Sequence, residues 1–180
     1  MKFCSNCGQP VALRTPPGDH LSRYVCEHCS TIHYQNPRLV VGCVAEWQGK
    51  VLLCKRAIEP RAGLWTLPAG FLENNETVEH GALRETREEA LAEVENLIPL
   101  ALVNVPHVHQ VHLMFRAELV QGRHAVGAES LETGLFDEAA IPWPEIAFAS
   151  VRYTLECFFQ DRRRGRFEFH ITTWQKAAHA

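Results

Sequence analysis

The chain has 180 residues, a formal net charge of −3 and 46% hydrophobic residues, which is material for one ordinary core and a small appendage. So balanced a charge argues against a nucleic-acid or membrane-surface protein, and no apolar run approaches the roughly 20 residues that span a bilayer. The opening MKFCSNCGQP lacks the apolar stretch of a secretory signal. The expected compartment is therefore the cytoplasm, and the seven cysteines are expected as thiols or metal ligands rather than disulfides.

Cys4, Cys7, Cys26 and Cys29 form C-x2-C-x18-C-x2-C. Each pair sits on a tight turn that aims two thiolates at one ion, and four thiolates close a tetrahedral shell around Zn²⁺. With no open position the zinc is expected to be structural, and its binding to supply much of the folding energy of a segment too short for its own core. Arg14 and Arg23 are offset by Asp19 instead of forming a basic stripe, so no nucleic-acid partner is expected. Asn36-Pro37 marks a boundary. The expected division is a zinc ribbon over residues 1–35 and a second domain over residues 36–180.

Past that boundary, LVVGCVAEW and KVLLCKR are strand-like runs around Gln48-Gly49, a hairpin signal. GLWTLPAGF is another short apolar stretch. An acidic segment then has helical spacing, LIPLALVNV and HQVHLMFRAELV read as strands, and LETGLFDE as a short one. SVRYTLECFFQDRRR reads as an amphipathic helix, and RFEFHITTW as a late strand or ordered tail. Strands and helices mix without strict alternation, which favours an α+β fold with a mixed sheet between flanking helices. Cys43, Cys54 and Cys157 lie in apolar runs and read as buried, inert thiols. His107 and His109 are expected on one half-exposed strand face, and the basic DRRRGR as a solvated helix end.

The acidic segment carries the chemistry. At about 100° per residue, Glu85, Glu88 and Glu89 share roughly 100° of helical arc, beside a stripe of Val78, Ala82, Thr86 and Ala90 that can pack on a sheet. A solvated helix with i,i+4 pairs is the ordinary reading of such a run. Three glutamates on one arc repel one another without a compensating cation, however, and oxygen donors without soft ligands suit Mg²⁺ or Mn²⁺.

Gly70, Glu76, Arg84, Glu85, Glu88 and Glu89 match the pattern G-x5-E-x7-R-E-U-x-E-E-x-G-U, and by it the chain resembles the Nudix hydrolases. Two positions depart from the pattern. Thr86 replaces a hydrophobic residue, and Leu91 replaces the late glycine, so the helix is expected to end differently. The resemblance extends over nearly the whole chain, through the ribbon, YQNPRLVVGCV, VLLCKR, GLWTLPAGFLE and ESLETGLF, and is closest to the FAD and ADP-ribose diphosphatases. The zinc-ribbon NADH diphosphatases are a similar branch, but their Ser-Gln-Pro-Trp-Pro-Phe-Pro-x-Ser array is not matched by IPWPEIAFAS.

The resemblance implies a metal-dependent enzyme that hydrolyses the pyrophosphate of a nucleoside diphosphate derivative. ADP-ribose or FAD is the first expectation, NADH the alternative, and a non-catalytic nucleotide sensor the reading from another class. It implies that Glu85 and Glu89 bind the catalytic ion, that Glu88 binds a further ion or its water, and that the Ala69 carbonyl adds a ligand. Glu76 and Arg84 would orient these groups, and Gly70 would allow a tight turn. Glu129, with Glu132 next, is the expected general base. Arg56, Trp65 and Phe71 are the expected substrate contacts, with core packing the competing reading for the two aromatics. A homodimer is the expected assembly.

Overall fold

The computed structural model describes residues 1–175. The chain divides into two compact units, residues 1–37 and 38–180. The first is a three-stranded antiparallel sheet of β1 (Val11–Arg14), β2 (Arg23–Cys26) and β3 (Ile32–His33), in the order β1-β2-β3. Its strands are too short to enclose a core, and the buried residues here include Cys4 and Cys26.

The second unit is built on one mixed sheet. Its strands are β4 (Arg38–Trp47), β5 (Lys50–Arg56), β6 (Trp65–Thr66), β7 (Ala69–Phe71), β8 (Val94–Val105), β9 (Gln110–Leu119), β10 (Ser130–Phe136) and β11 (His170–Thr173). The main path runs β10-β5-β4-β9-β8-β11, with β6 on β5 and β7 on β4. The β4–β9 and β8–β11 pairings are parallel and the others antiparallel. The β4–β5 hairpin turns on Gln48 (φ 49°) and Gly49 (φ 80°), consecutive positive φ angles of the kind that match strand twist.

Alternation along the strands makes two cores, one on each face. Val41, Cys43 and Ala45 of β4 join Cys54, Phe115 and the helix α1 (Val78–Ala90) on one face; Val44, Leu53 and Leu100 join α2 (Ala149–Arg164) on the other. Cys43, Cys54 and Cys157 are buried as expected. α2 ends at Gly165 (φ 67°) after three arginines in its last turn. Arg162 is not simply solvated: it donates to the Gly49 carbonyl at 2.6 Å and so ties the helix end to the hairpin. The late segment is a strand. Buried Asp161 accepts the Glu168 amide (3.0 Å) and pairs with His170 Nε2 (2.7 Å), which anchors β11 on the sheet edge. His107 and His109 do not share a strand face. Pro106 starts a helical turn over 106–108, and His109 leaves it in the left-handed region (φ 54°). Among the described residues, no helix is long and apolar enough to cross a membrane.

Candidate active site

Thr77 starts α1 by accepting the His80 amide at 3.2 Å, with Glu79 in the first turn and Arg87 in the last. Ala82, Thr86 and Ala90 bury the predicted stripe against the sheet. Thr86 fits this apolar position because its hydroxyl donates to the Ala82 carbonyl at 2.8 Å within the helix. Despite lacking the pattern's glycine, the helix ends in a left-handed cap. Leu91 takes φ 46° and its amide returns to the Arg87 carbonyl at 2.9 Å. The expectation of a different ending therefore fails at the backbone, where leucine adopts the conformation glycine usually supplies.

Facing the acids is β7, paired to β4 in the register Val41↔Gly70. Flanking bonds from Cys43 N to Pro68 O and from Leu72 N to Leu39 O make Gly70 the residue bonded to β4. Ala69 and Phe71 therefore turn their backbone groups the other way, toward α1. The Ala69 amide donates to Glu89 Oε2 at 3.1 Å, and the Phe71 carbonyl accepts from Arg84 Nη2 at 3.0 Å. Gly70 is in a strand and not a left-handed turn. Its role differs from the one expected: the Glu85 carboxylate occupies the space a Cβ would take, so a larger residue here would displace that carboxylate.

Arg84 gathers the acids. Its Nε and Nη2 grip both oxygens of Glu76 at 3.1 and 2.8 Å, while Nη1 reaches Glu85 Oε1 at 2.7 Å and Glu88 Oε2 at 3.0 Å. Glu76 also accepts the Glu73 amide at 2.7 Å. The Arg84 bond and that amide hold the Glu76 carboxyl down at about 2, a permanently charged and bidentate pair. Gly81 completes this joint and was missed in the sequence. A Cβ there would stand 2.9 Å from Glu76 Oε1 and from side-chain atoms of Leu72 and Val41. Its only signal was a glycine inside a helical pattern.

The three clustered acids differ in environment. Glu88 is exposed; Glu85 is half-buried. Glu89 is 6% exposed. Burial pushes the Glu85 carboxyl up against the pull of Arg84, with Glu88 and Glu129 adding to the rise. Burial pushes Glu89 up to about 8 even though it accepts the Ala69 amide, and the fields of Glu85 and Glu129 act in the same direction. Glu129 therefore lies within electrical reach of both buried acids. Its carbonyl accepts the Ala57 amide at 2.8 Å, next to Arg56. Glu132 instead pairs with Lys55 at 3.6 Å. Arg56 opposes the rise at Glu89, donates through Nε to the Pro60 carbonyl at 3.0 Å and lies over the Phe148 ring at 5.1 Å. Phe71 is exposed with the Arg38 guanidinium over it at 4.4 Å. Trp65 is a core residue, edge-on to Phe136 at 5.0 Å with Lys55 above its ring.

In the N-terminal unit, the Cys4, Cys7, Cys26 and Cys29 sulfurs lie within 4.8 Å of one another. Cys4–Cys29 and Cys7–Cys26 are 3.6 and 3.5 Å apart. The edge of a tetrahedral zinc–thiolate site is about 3.8 Å from Zn–S bonds of about 2.3 Å, so these sulfurs stand close to ligating positions. Gly8 (φ 75°) and Ser30 (φ 57°) make the two turns, and the Cys29 sulfur meets Thr31 Oγ1 at 3.0 Å. Among the described residues this is the one group of three or more such ligands so tightly converged. The α1 acids are less convergent, with Arg84 bonded to both Glu85 and Glu88.

A zinc-ribbon family model described as Nudix N-terminal matches residues 2–35, and the NUDIX domain model matches residues 36–157. A NUDIX hydrolase structure from Nitrosomonas europaea superimposes with a TM-score of 0.90 at 52% identity, covering 97% of this chain and 100% of that one. The NAD-capped RNA hydrolase NudC of Pseudomonas aeruginosa is 32% identical over 169 residues, 93% of this chain and 58% of that protein. The ADP-ribose pyrophosphatase of Methanocaldococcus jannaschii is 31% identical over 113 residues, 61% of this chain and 67% of that protein. The chain thus spans a little over half the length of the NudC relative.

Proposed function

The chain belongs to the Nudix family, with a zinc-ribbon segment ahead of its Nudix domain, and from that premise we propose that it hydrolyses the pyrophosphate bond of a nucleoside diphosphate derivative, ADP-ribose or FAD first. The observation that carries this reading is the Arg84 clamp, which fastens Glu76, Glu85 and Glu88 into one array beside the Ala69–Glu89 contact. A plain solvated helix has no need of so many oriented acids, nor of Gly70 cleared for one of them.

The donor set fits a hard divalent cation: carboxylates carrying more negative charge than one arginine balances, and a backbone carbonyl turned the same way. Glu85, Glu88, Glu89 and the Ala69 carbonyl would hold Mg²⁺ or Mn²⁺. Such an ion, when bound, offsets the charge of the pyrophosphate and lowers the pKa of a bound water. The protein's own contribution is positional. Glu76 fixes Arg84, and Arg84 sets the carboxylates. Glu129 takes the proton of the attacking water, whose oxygen bonds to phosphorus as the bridging P–O bond breaks. Arg56 offers its outer nitrogens to a phosphate oxygen, and Phe71 offers an exposed ring to a base or flavin. AMP and a phosphorylated remainder leave. The four cysteines would hold Zn²⁺ in a closed shell with a structural role.

A second reading has its own support. The NudC relative aligns through the ribbon as well as the Nudix domain, over 93% of this chain against 61% for the ADP-ribose pyrophosphatase relative. That favours an NAD-linked pyrophosphate and withdraws support from excluding RNA. Against it stands IPWPEIAFAS, in which Trp143 packs edge-on to Phe159 under Arg152. A screen decides: ADP-ribose, FAD, NADH, a dinucleoside polyphosphate and an NAD-capped oligoribonucleotide, each with Mg²⁺ or Mn²⁺. AMP released fastest from ADP-ribose or FAD is the expected result. Fastest cleavage of NADH or the capped RNA selects the second reading, and no cleavage under either metal overturns both.

A further inference from the structure

The carbonyls at the end of α1 are capped by a distant loop. The Ala90 carbonyl accepts the Ala125 amide at 2.7 Å, and the Glu89 carbonyl accepts the Gly127 amide at 3.1 Å. These donors belong to the loop between β9 and β10 that carries Glu129. Helix ends leave carbonyls without intrahelical partners, so the segment that satisfies them is fixed in register against the helix. Gly127 makes the fit possible. It is buried, and a Cβ there would overlap the Glu88 carbonyl and crowd the Glu88 and Glu89 carbonyl carbons. All three are backbone atoms of a packed helix and cannot swing aside. Its φ is not in the left-handed region, so the requirement for glycine comes from the neighbouring helix and not from the loop's own conformation.

The loop is then fastened on both sides of Glu129. Ser130 N donates to the Gly127 carbonyl at 3.2 Å, Ala57 N donates to the Glu129 carbonyl at 2.8 Å, and His124 Nδ1 bonds Thr133 Oγ1 at 2.9 Å. We infer that Gly127 is a positioning residue: by docking the loop on the last turn of α1 it sets Glu129 against the same turn that carries Glu88 and Glu89. The inference rests on the proposed role of Glu129. It adds that the two acid-bearing segments move as one body, so displacing the loop withdraws the base while leaving the other acids in place.

The test is a double-mutant cycle on the full chain, with ADP-ribose and Mg²⁺ as the assay and amide hydrogen exchange as a second readout. Gly127→Ala is expected to lower kcat about 100-fold, the scale of a displacement near 1 Å, with KM nearly unchanged and protection of the Ala125 and Gly127-site amides lost. Ala125→Pro, which removes one cap donor at an exposed position, is expected to give a smaller fall in the same direction and serves if Gly127→Ala does not fold. In a Glu129→Gln background both substitutions should cost little more, because they act through the same group. Full additivity overturns the positioning role, as does Gly127→Ala with wild-type kcat or with both amides still protected. Glu129→Gln with wild-type kcat overturns the role of Glu129 itself, a distinct failure that removes the basis of the inference. If ADP-ribose is not cleaved, persistence of amide protection in Gly127→Ala still overturns the docking, and its loss supports it.

Discussion

The two units use acidic side chains and thiols in opposite ways. The N-terminal unit has three short strands and soft sulfur ligands turned toward one point, already near tetrahedral spacing. The Nudix unit has two hydrophobic cores, and its acids are crowded in unlike settings: half-buried Glu85 and exposed Glu88 are bonded to Arg84, and buried Glu89 to the Ala69 amide. In the first a metal would replace the core that is missing. In the second, folding energy from the cores is what tolerates an arrangement of carboxylates that is unfavourable alone. Glu89 shows this most sharply, since its burial raises its carboxyl to about 8.

The contrast can be broken from either side. The largest effect should follow Cys26→Ser. Structural zinc sites in small fingers contribute on the order of 10 kcal/mol, so residues 1–37 should lose their fold and become open to protease. Both cores lie within residues 38–180, and that unit should keep its cooperative melt; cobalt absorbance and limited proteolysis check both parts. Next comes Arg84→Ala, which frees Glu76, Glu85 and Glu88 from their common partner. Activity should fall about 10- to 100-fold, the scale of residues that orient ligands, with a raised Mg²⁺ concentration for half-maximal rate.

A smaller effect concerns pH. Burial holds His112 neutral, with its pKa lowered from 6.5 to about 4, bonded to Ser150 Oγ at 2.9 Å and Gln110 Oε1 at 3.0 Å. A depressed histidine contributes stability that is fully present above its unfolded pKa and is lost as pH falls from about 6.5 toward 4, by about 3 kcal/mol in all. Chemical denaturation between pH 7 and 4 should show that decline, and His112→Gln should flatten it. The smallest effect is expected from Thr86→Val, which loses one internal helix bond but keeps the branched shape, with a stability change of about 1 kcal/mol or less and unchanged kcat.

What could be read in the sequence was whatever lies close along the chain. The C-x2-C pairs, the period of four along α1, the Gln48-Gly49 hairpin and the Gly70-to-Glu89 spacing each span one element or its neighbour. What could not be read depends on which backbone crosses which. Gly70 and Gly81 leave room for the Glu85 and Glu76 carboxylates, and Gly127 is needed because the α1 backbone comes against it; a glycine in sequence does not say what approaches it. The depth of Glu89 and the Asp161–His170 anchor of β11 have the same origin, whereas His107 and His109 leave the strand at a turn begun locally by Pro106. Leu91 shows the reverse limit, a residue type that argued against a cap the surrounding fold imposes.

The central claim is that the α1 acids serve chemistry and not folding, and Glu85→Gln tests it most directly. Hydrolysis of the substrate identified by the screen, measured with Mg²⁺ and Mn²⁺ alongside a thermal melt, should fall by about 100- to 1,000-fold, the scale of losing one group that stabilises developing charge, while the melting temperature stays the same or rises. Turnover within a few-fold of wild type, or a variant that fails to fold, would contradict it.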